Sequence, residues 1–319
     1  MVSPLSRPIV IAHRGASGLR PEHTLAAYSL AIDQGADFIE PDLVPTRDGV
    51  LVARHENEIG ETTDVADRAA FARRRTRKTI DGQVLEGWFV EDFTLAELKT
   101  LRARERLPDL RPANVAHDGR YDIPTLAEII ALAQSRGVGI YPETKHPRYF
   151  AEIGLPTDEP LVAALHAAGW RDATAPVFIQ SFEVDNLKRL SGLTRLRLIQ
   201  LVAARGGPAD GAAPTYAAMI APAGLARIAG YAWGIGPDKA QLSQTALVAD
   251  AHAAGLRVHP WTYRAENAFL PAAWRRGDGA AAHGDLAGEI ASALKLGIDG
   301  FFTDFPAIGV AARDRAGEE

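Results

Sequence analysis

Short apolar, β-branched runs in this chain are each followed by a longer segment with helical spacing, and that alternation limits the folds open to it. Strand signals fall at 8–14 (PIVIAHR), 37–44, 49–56, 139–145, 177–182, 196–203, 231–238, 256–263 and 298–304. Helical periodicity occupies 23–35, 94–105, 125–137 and 159–170, and recurs in VDNLKRLSG, AGLARIAG, TALVADAHAAG and LAGEIASALKLG. Several of these patterns stop at a Gly, as helix C-termini prefer. Strands joined through helices run parallel, and about eight such repeats predict an α/β fold of the (β/α)8 TIM-barrel type.

Nine strand signals are one too many for that barrel. Asp48-Gly49 lies between two of them, a hairpin signal, and a fold near Arg47-Asp48 places Glu40 roughly opposite His55. The third strand is therefore expected to be an antiparallel flap. Residues 57–122 break the rhythm: they are polar, basic in ARRRTRK, and carry one clear helix and no run of strands. They read as a small inserted region over one barrel mouth, so that residues 1–319 form a single domain. The basic run is expected to be a solvated face. The 203–214 stretch, AARGGPADGAAP, reads as a flexible loop.

Composition removes several classes. Net charge is −5, so no basic field invites nucleic acid or an anionic membrane. Without cysteine there is no disulfide, thiolate or cysteine-based zinc chemistry. No apolar run is long enough to cross a bilayer. The opening MVSPLSRPIV is too short and too polar for a secretory leader. As written, the chain reads as a soluble cytoplasmic protein, or a periplasmic one if a leader preceded it.

In a barrel of this type chemistry sits where strands end, and the polar residues there form a pattern. His13 and Arg14 end the first strand; Glu40 and Asp42 the second; His55 the flap. Later ends carry Glu143 and Lys145, then Gln180, Ser181 and Phe182, then His259, Trp261 and Arg264, and finally Asp304. Glu40 and Asp42 share one side of a strand, and with Glu143 they make a hard oxygen site suited to Ca²⁺ or Mg²⁺. His13 and His55 are the candidate acid and base. Arg14 and Lys145 supply fixed positive charge for a phosphoryl group. Phe182 and Trp261 are the preferred candidates for apolar walls, with Trp274 and Phe305 behind them. No Gly-rich nucleotide loop is present, so the phosphate is not that of ATP or NAD. His117, His166, His252 and His283 read as surface residues.

IAHRGASGLRPEHT, EPDLVPTRDGVLVARHE, GIYPETK, FIQSF, VHPWTY and GFFTDFP resemble the glycerophosphodiester phosphodiesterase family over about residues 9–310, most closely its long, bacterial periplasmic-type subgroup. The resemblance implies metal-dependent hydrolysis of small glycerophosphodiesters, such as glycerophosphocholine or glycerophosphoethanolamine, to sn-glycerol 3-phosphate and an alcohol. It implies a divalent metal on Glu40, Asp42 and Glu143, with His13 and His55 as general acid and base. Arg14 then becomes a phosphate ligand, Lys145 the nearby lysine, and Phe182 and Trp261 pocket walls. Attack by the glycerol 2-hydroxyl through a cyclic phosphate and direct attack by water both use the same histidine pair. The family usually writes His-Asp where this chain has His55-Glu56, which bears on how the base is oriented. The Gly/Ala-rich loop after LIQLVA implies an open wall around the alcohol, leaving lysophospholipids or synthetic phosphodiesters as alternative substrates. Paired carboxylates also occur in barrel glycosidases, but those need neither the histidines nor the Arg/Lys pair.

Overall fold

The structure, a computed structural model, describes residues 7–243 and 246–318; most of the opening MVSPLSRPIV lies outside them. Thirteen strands are present among the described residues: β1 (Ile9–His13), β2 (Phe38–Glu40), β3 (Asp42–Pro45), β4 (Leu51–Ala53), β5 (Thr76–Ile80), β6 (Gln83–Gly87), β7 (Gly139–Ile140), β8 (Glu143–Thr144), β9 (Phe178–Ser181), β10 (Arg197–Val202), β11 (Gly234–Pro237), β12 (Arg257–Val258) and β13 (Gly300–Thr303). The class is α/β, as the alternation predicts.

The ladders do not form one closed sheet. They form a four-stranded sheet, β13-β1-β2-β7, and a seven-stranded one, β12-β11-β10-β9-β8-β3-β4. Within these two sheets all pairings are parallel except β3–β4, and β5–β6 stand apart as a two-stranded antiparallel pair. The physical cause of the division is proline. Pro41 separates β2 from β3, Pro142 separates β7 from β8, and Pro260 follows β12, each removing one ladder donor. Their carbonyls still accept, from Glu143 N at 2.9 Å, Gln180 N at 2.9 Å and Phe302 N at 3.0 Å. Main-chain bonds also join the sheets, from Ile140 N to the Pro176 carbonyl (3.0 Å) and from Asp299 N to the Val258 carbonyl (3.0 Å).

The strands are buried on both faces, as parallel strands under helices must be. One face packs Ile9, Ile11, Phe38, Tyr141, Phe178, Ile199 and Phe302 together, with Trp233 and Trp261 at the margin. The other faces meet helices such as Leu25–Asp33, Leu126–Arg136 and Leu286–Leu294. Helix starts follow local chemistry. Thr24 Oγ1 accepts from Ala27 N at 3.0 Å, and Thr125 with Glu128 forms a reciprocal capping box.

In the β3–β4 hairpin Leu43 faces Ala53, and Arg54 N bonds to the Asp42 carbonyl, a register that carries Glu40 to within one position of His55, roughly opposite as the hairpin signal predicts. Two local expectations are corrected. The helix expected over 94–105 is only Leu95–Leu98, because the chain then turns to bridge Thr63 to Ala103. Residues 57–122 are not free of strands: β5 and β6 form an antiparallel hairpin through the basic run. Arg73, Arg75 and Arg77 are exposed there, but Arg74 lies over the Phe71 and Phe93 rings at 5.2 and 4.9 Å. This stretch packs Ile59, Val65, Val90, Phe93, Leu98 and Leu101, with Ile123 just after it, against Val44 and Val52.

Candidate active site

The loop after β1 is forced into shape by two glycines. Arg14 and Gly15 both take positive φ, and a Cβ on Gly15 would lie 2.6 Å from the Ala27 backbone. A Cβ on Gly18 would strike the Phe305 ring at 2.4 Å. The HRGASG stretch therefore lies flat against its helix and against Phe305. That holds Arg14 beside the end of β2, where its backbone N–H donates to Glu40 Oε2 at 2.8 Å.

All nine residues expected to form a site line one cavity of about 690 Å³: His13, Arg14, Glu40, Asp42, His55, Glu143, Lys145, Phe182 and Trp261. Gln180, Ser181 and Arg264 join them. The hairpin contributes Ile80, Asp81, Gln83 and Leu85, and the 203–214 loop contributes Gly207 and Ala209. The lip is thus apolar and acidic, not basic. Trp274 and Phe305 do not line the cavity, and Phe305 is core, edge-on to His283. His259 is also absent from it; it is buried among Phe178, Trp233 and Tyr141, with Nδ1 2.8 Å from the Tyr141 hydroxyl.

Glu40, Asp42 and Glu143 are buried, and each offers an oxygen within 4.8 Å of the others. Burial raises Glu40 well above the usual carboxyl range, helped by Asp42 and Glu143. Burial likewise pushes Glu143 up to about 8. Burial acts the same way on Asp42, but Lys145, His55 and the hydrogen bond with His23 outweigh it and hold Asp42 well below its ordinary value. Lys145 Nζ lies 2.6 Å from Glu143 Oε1 and 3.1 Å from Asp42 Oδ1, the latter oxygen having no hydrogen-bond partner among the described residues. Three crowded carboxylates with an unsatisfied oxygen fit a hard divalent cation.

Each imidazole is gripped through Nδ1 by a carboxylate. His13 Nδ1 sits 2.7 Å from Asp304 Oδ1, and His55 Nδ1 makes a short bond to Glu56. Distance alone would suggest ion pairs, but burial, then Arg14, lowers His13 to about 4 and His55 to about 3. Both rings are therefore neutral near pH 7, donating from Nδ1 and leaving Nε2 as the free base. Asp304 stays ionised despite burial, because Arg264 (2.9 Å) and Arg111 (2.5 Å) hold its other oxygen.

Several partners carry no sequence signal. His23 is fully buried in the PEHT turn, bridging Asp42 Oδ2 (2.8 Å) and the Tyr28 hydroxyl (2.7 Å). Glu22, in the same turn, bonds Arg14 at 2.9 Å and Arg106 at 2.9 and 2.7 Å. Arg106 and Arg111 lie in an aperiodic polar stretch, where only the fold reveals them.

A buried oxygen cage, two neutral imidazoles and two fixed cations thus face one cavity on an α/β scaffold, a set whose chemistry suits an anionic phosphoryl group. The chain belongs to the glycerophosphoryl diester phosphodiesterase family, whose model matches residues 13–308. It is 37% identical to glycerophosphodiester phosphodiesterase GDPD6 of Arabidopsis thaliana, covering 94% of this chain and 84% of that one. It is 31% identical to the glycerophosphodiester phosphodiesterase of Haemophilus influenzae, over 96% and 89% of the two chains. The fold is similar, with a TM-score of 0.66 at 24% identity and 97% coverage of both chains, to an Oleispira antarctica phosphodiesterase solved with the product sn-glycerol-3-phosphate. No helix among the described residues is long and apolar enough to cross a membrane.

Proposed function

We propose that this enzyme, a glycerophosphodiester phosphodiesterase by family, hydrolyses small glycerophosphodiesters such as glycerophosphocholine and glycerophosphoethanolamine to sn-glycerol 3-phosphate and an alcohol. The observation that carries the reading is the convergence of His13, His55, Arg14, Lys145 and three carboxylates on one cavity. The two sheets, bonded to each other at both seams, are read as a single eight-stranded barrel interrupted at its prolines, with β4 as the antiparallel flap. Residues 57–122 are read as an insertion within one domain.

Glu40, Asp42 and Glu143 would hold a divalent cation, Ca²⁺ or Mg²⁺, which when bound supplies Lewis acidity to a phosphoryl oxygen. Arg14 forks onto the phosphate and Lys145 adds a point charge beside it. One imidazole accepts the proton of the attacking hydroxyl at Nε2. The oxygen–phosphorus bond forms as the bond to the alcohol breaks, and the departing oxygen takes its proton from Nε2 of the second imidazole, which the negative charge of the bound phosphodiester brings into its protonated form. Phe182 and Trp261, edge to face at 5.6 Å, wall the substrate against water.

The test is release of glycerol 3-phosphate from glycerophosphocholine with and without EDTA, alongside His13→Ala and His55→Ala. Activity should vanish with the chelator and fall about 10²–10⁴-fold in either variant. Full activity in EDTA, or in both variants, refutes the scheme. A substrate panel including lysophospholipids tests the small-substrate reading.

A further inference from the structure

Two arginines five positions apart end two separate hydrogen-bonded chains that begin at the two histidines. Arg106 Nη2 donates to Glu56 Oε2 at 2.6 Å, and the other oxygen of Glu56 holds His55 Nδ1. Arg111 Nη2 donates to Asp304 Oδ2 at 2.5 Å, and Asp304 Oδ1 holds His13 Nδ1. Neither arginine lines the cavity. Both come from the stretch 57–122, whereas the histidines and Asp304 sit at strand ends and Glu56 just after the flap.

Each guanidinium is anchored on a second group. Arg106 Nε and Nη2 fork onto Glu22 at 2.9 and 2.7 Å, and Glu22 in turn bonds Arg14. Arg111 Nε bonds Glu266 at 2.6 Å, and Nη1 donates to the Ser17 carbonyl at 2.9 Å. A carboxylate bonded on one oxygen only can swing away from its imidazole. Glu56 is the vulnerable case, with its side chain 34% exposed. A forked guanidinium on the second oxygen fixes the carboxylate's rotation and keeps it an acceptor. The ring must then carry its proton on Nδ1 and present Nε2 as the base. A lysine cannot span Glu22 and Glu56 with the same planar fork.

We propose that Arg106 and Arg111 are positioning residues of the hydrolysis, acting through Glu56 on His55 and through Asp304 on His13. The inference rests on the two histidines being the acid and base. The two arginines then differ in a way the contacts dictate. Arg106 also steadies Arg14 through Glu22, so its loss reaches phosphate binding as well as proton transfer. Arg111 has no link to Arg14 and acts on His13 through Asp304.

The experiment uses the metal-loaded enzyme with glycerophosphocholine, comparing Arg106→Ala, Arg106→Lys, Arg111→Ala and Arg111→Lys with His13→Ala and His55→Ala. The alanine variants should lose about 10–100-fold in kcat, as outer-sphere partners typically do. KM should rise in Arg106→Ala and stay near wild type in Arg111→Ala. Added guanidinium should restore part of the Arg106→Ala rate, and the lysine variants should recover only part. Nitrogen-15 NMR of the imidazoles should show Nδ1 protonated in the wild type and a mixed tautomer at His55 or His13 in the matching variant. Should Arg111→Ala fail to fold, Arg111→Lys carries the test through kcat and the His13 tautomer. Arginine variants with kcat within about threefold of wild type and unchanged tautomers overturn the proposal, while dead histidine variants beside them leave the acid/base reading standing. Full activity in both histidine variants overturns that reading, and this inference with it.

Discussion

Asp304→Asn removes one charge and preserves the side chain's shape. Asp304 accepts from His13 Nδ1 at 2.7 Å and from two guanidiniums at 2.5 and 2.9 Å. An asparagine can keep one carbonyl oxygen on the arginines only by turning its NH₂ toward His13. The imidazole must then accept at Nδ1, which moves its proton to Nε2, the nitrogen needed as a base. By analogy with the serine-protease triad, where the same change traps the wrong tautomer, kcat should fall up to about 10⁴-fold, or 5 kcal/mol of transition-state stabilisation. KM should change little, since the Arg14 contacts are untouched. Both arginines keep an acceptor oxygen but lose the charge opposite them, and only Arg111 retains a second carboxylate, Glu266 at 2.6 Å, so stability should drop by up to about 3–5 kcal/mol. The assay is steady-state release of glycerol 3-phosphate, paired with a thermal melt to show that the variant is folded. A folded Asp304→Asn enzyme with kcat within about fivefold of wild type would refute the orienting role.

Glu143→Gln should raise the Ca²⁺ or Mg²⁺ concentration for half-maximal activity at least about tenfold, read by metal titration of the chelator-stripped enzyme. Tyr141→Phe leaves His259 Nδ1 buried without its partner and should cost about 1–3 kcal/mol in denaturant unfolding, with kcat/KM unchanged. His259 contributes stability that declines on acidification, against the opposite contribution of Glu40 and Glu143, whose raised carboxyls bind protons first in the folded metal-free chain. His259 is lowered to about 4 by burial, against 6.5 unfolded, so the unfolded chain binds a proton first and stability is lost as pH falls from about 6.5 toward 4. Buried Asp304 and Glu22, held well below the usual carboxyl range by arginines, act in the same direction below about pH 4. Calorimetry of wild type against His259→Gln between about pH 8 and about pH 4 checks the sign: the stability difference between the two should shrink on acidification, and a difference that grows would contradict it.

Strand ends were legible because the residue carrying the chemistry also ends an apolar run. IVIAH stops at His13, FIE at Glu40, and GFFT just before Asp304. The period-two spacing of Glu40 and Asp42 makes them a set in the sequence itself. What stayed hidden depends on long-range approach. Nothing local ties Arg111 to Asp304, 193 residues away, or Arg106 to Glu22, 84 away. His259 illustrates the converse. Its place at a strand end looked functional, yet it is buried with Tyr141 and Phe178 away from the cavity. The proline interruptions were visible as letters, but their effect on the ladder is a property of the folded sheet.

The 2.7 Å bond between His13 and Asp304 joins residues 291 positions apart. β1 also pairs in parallel with β13 across the same span. A ribosome that has made the first 300 or so residues has made every charged group that lines the cavity, but not the carboxylate that orients His13. Closing so long a loop is among the slowest contacts such a topology requires. Competence thus waits on β13 and the residue after it, and a chain cut short before that strand would leave His13 without the carboxylate that orients it.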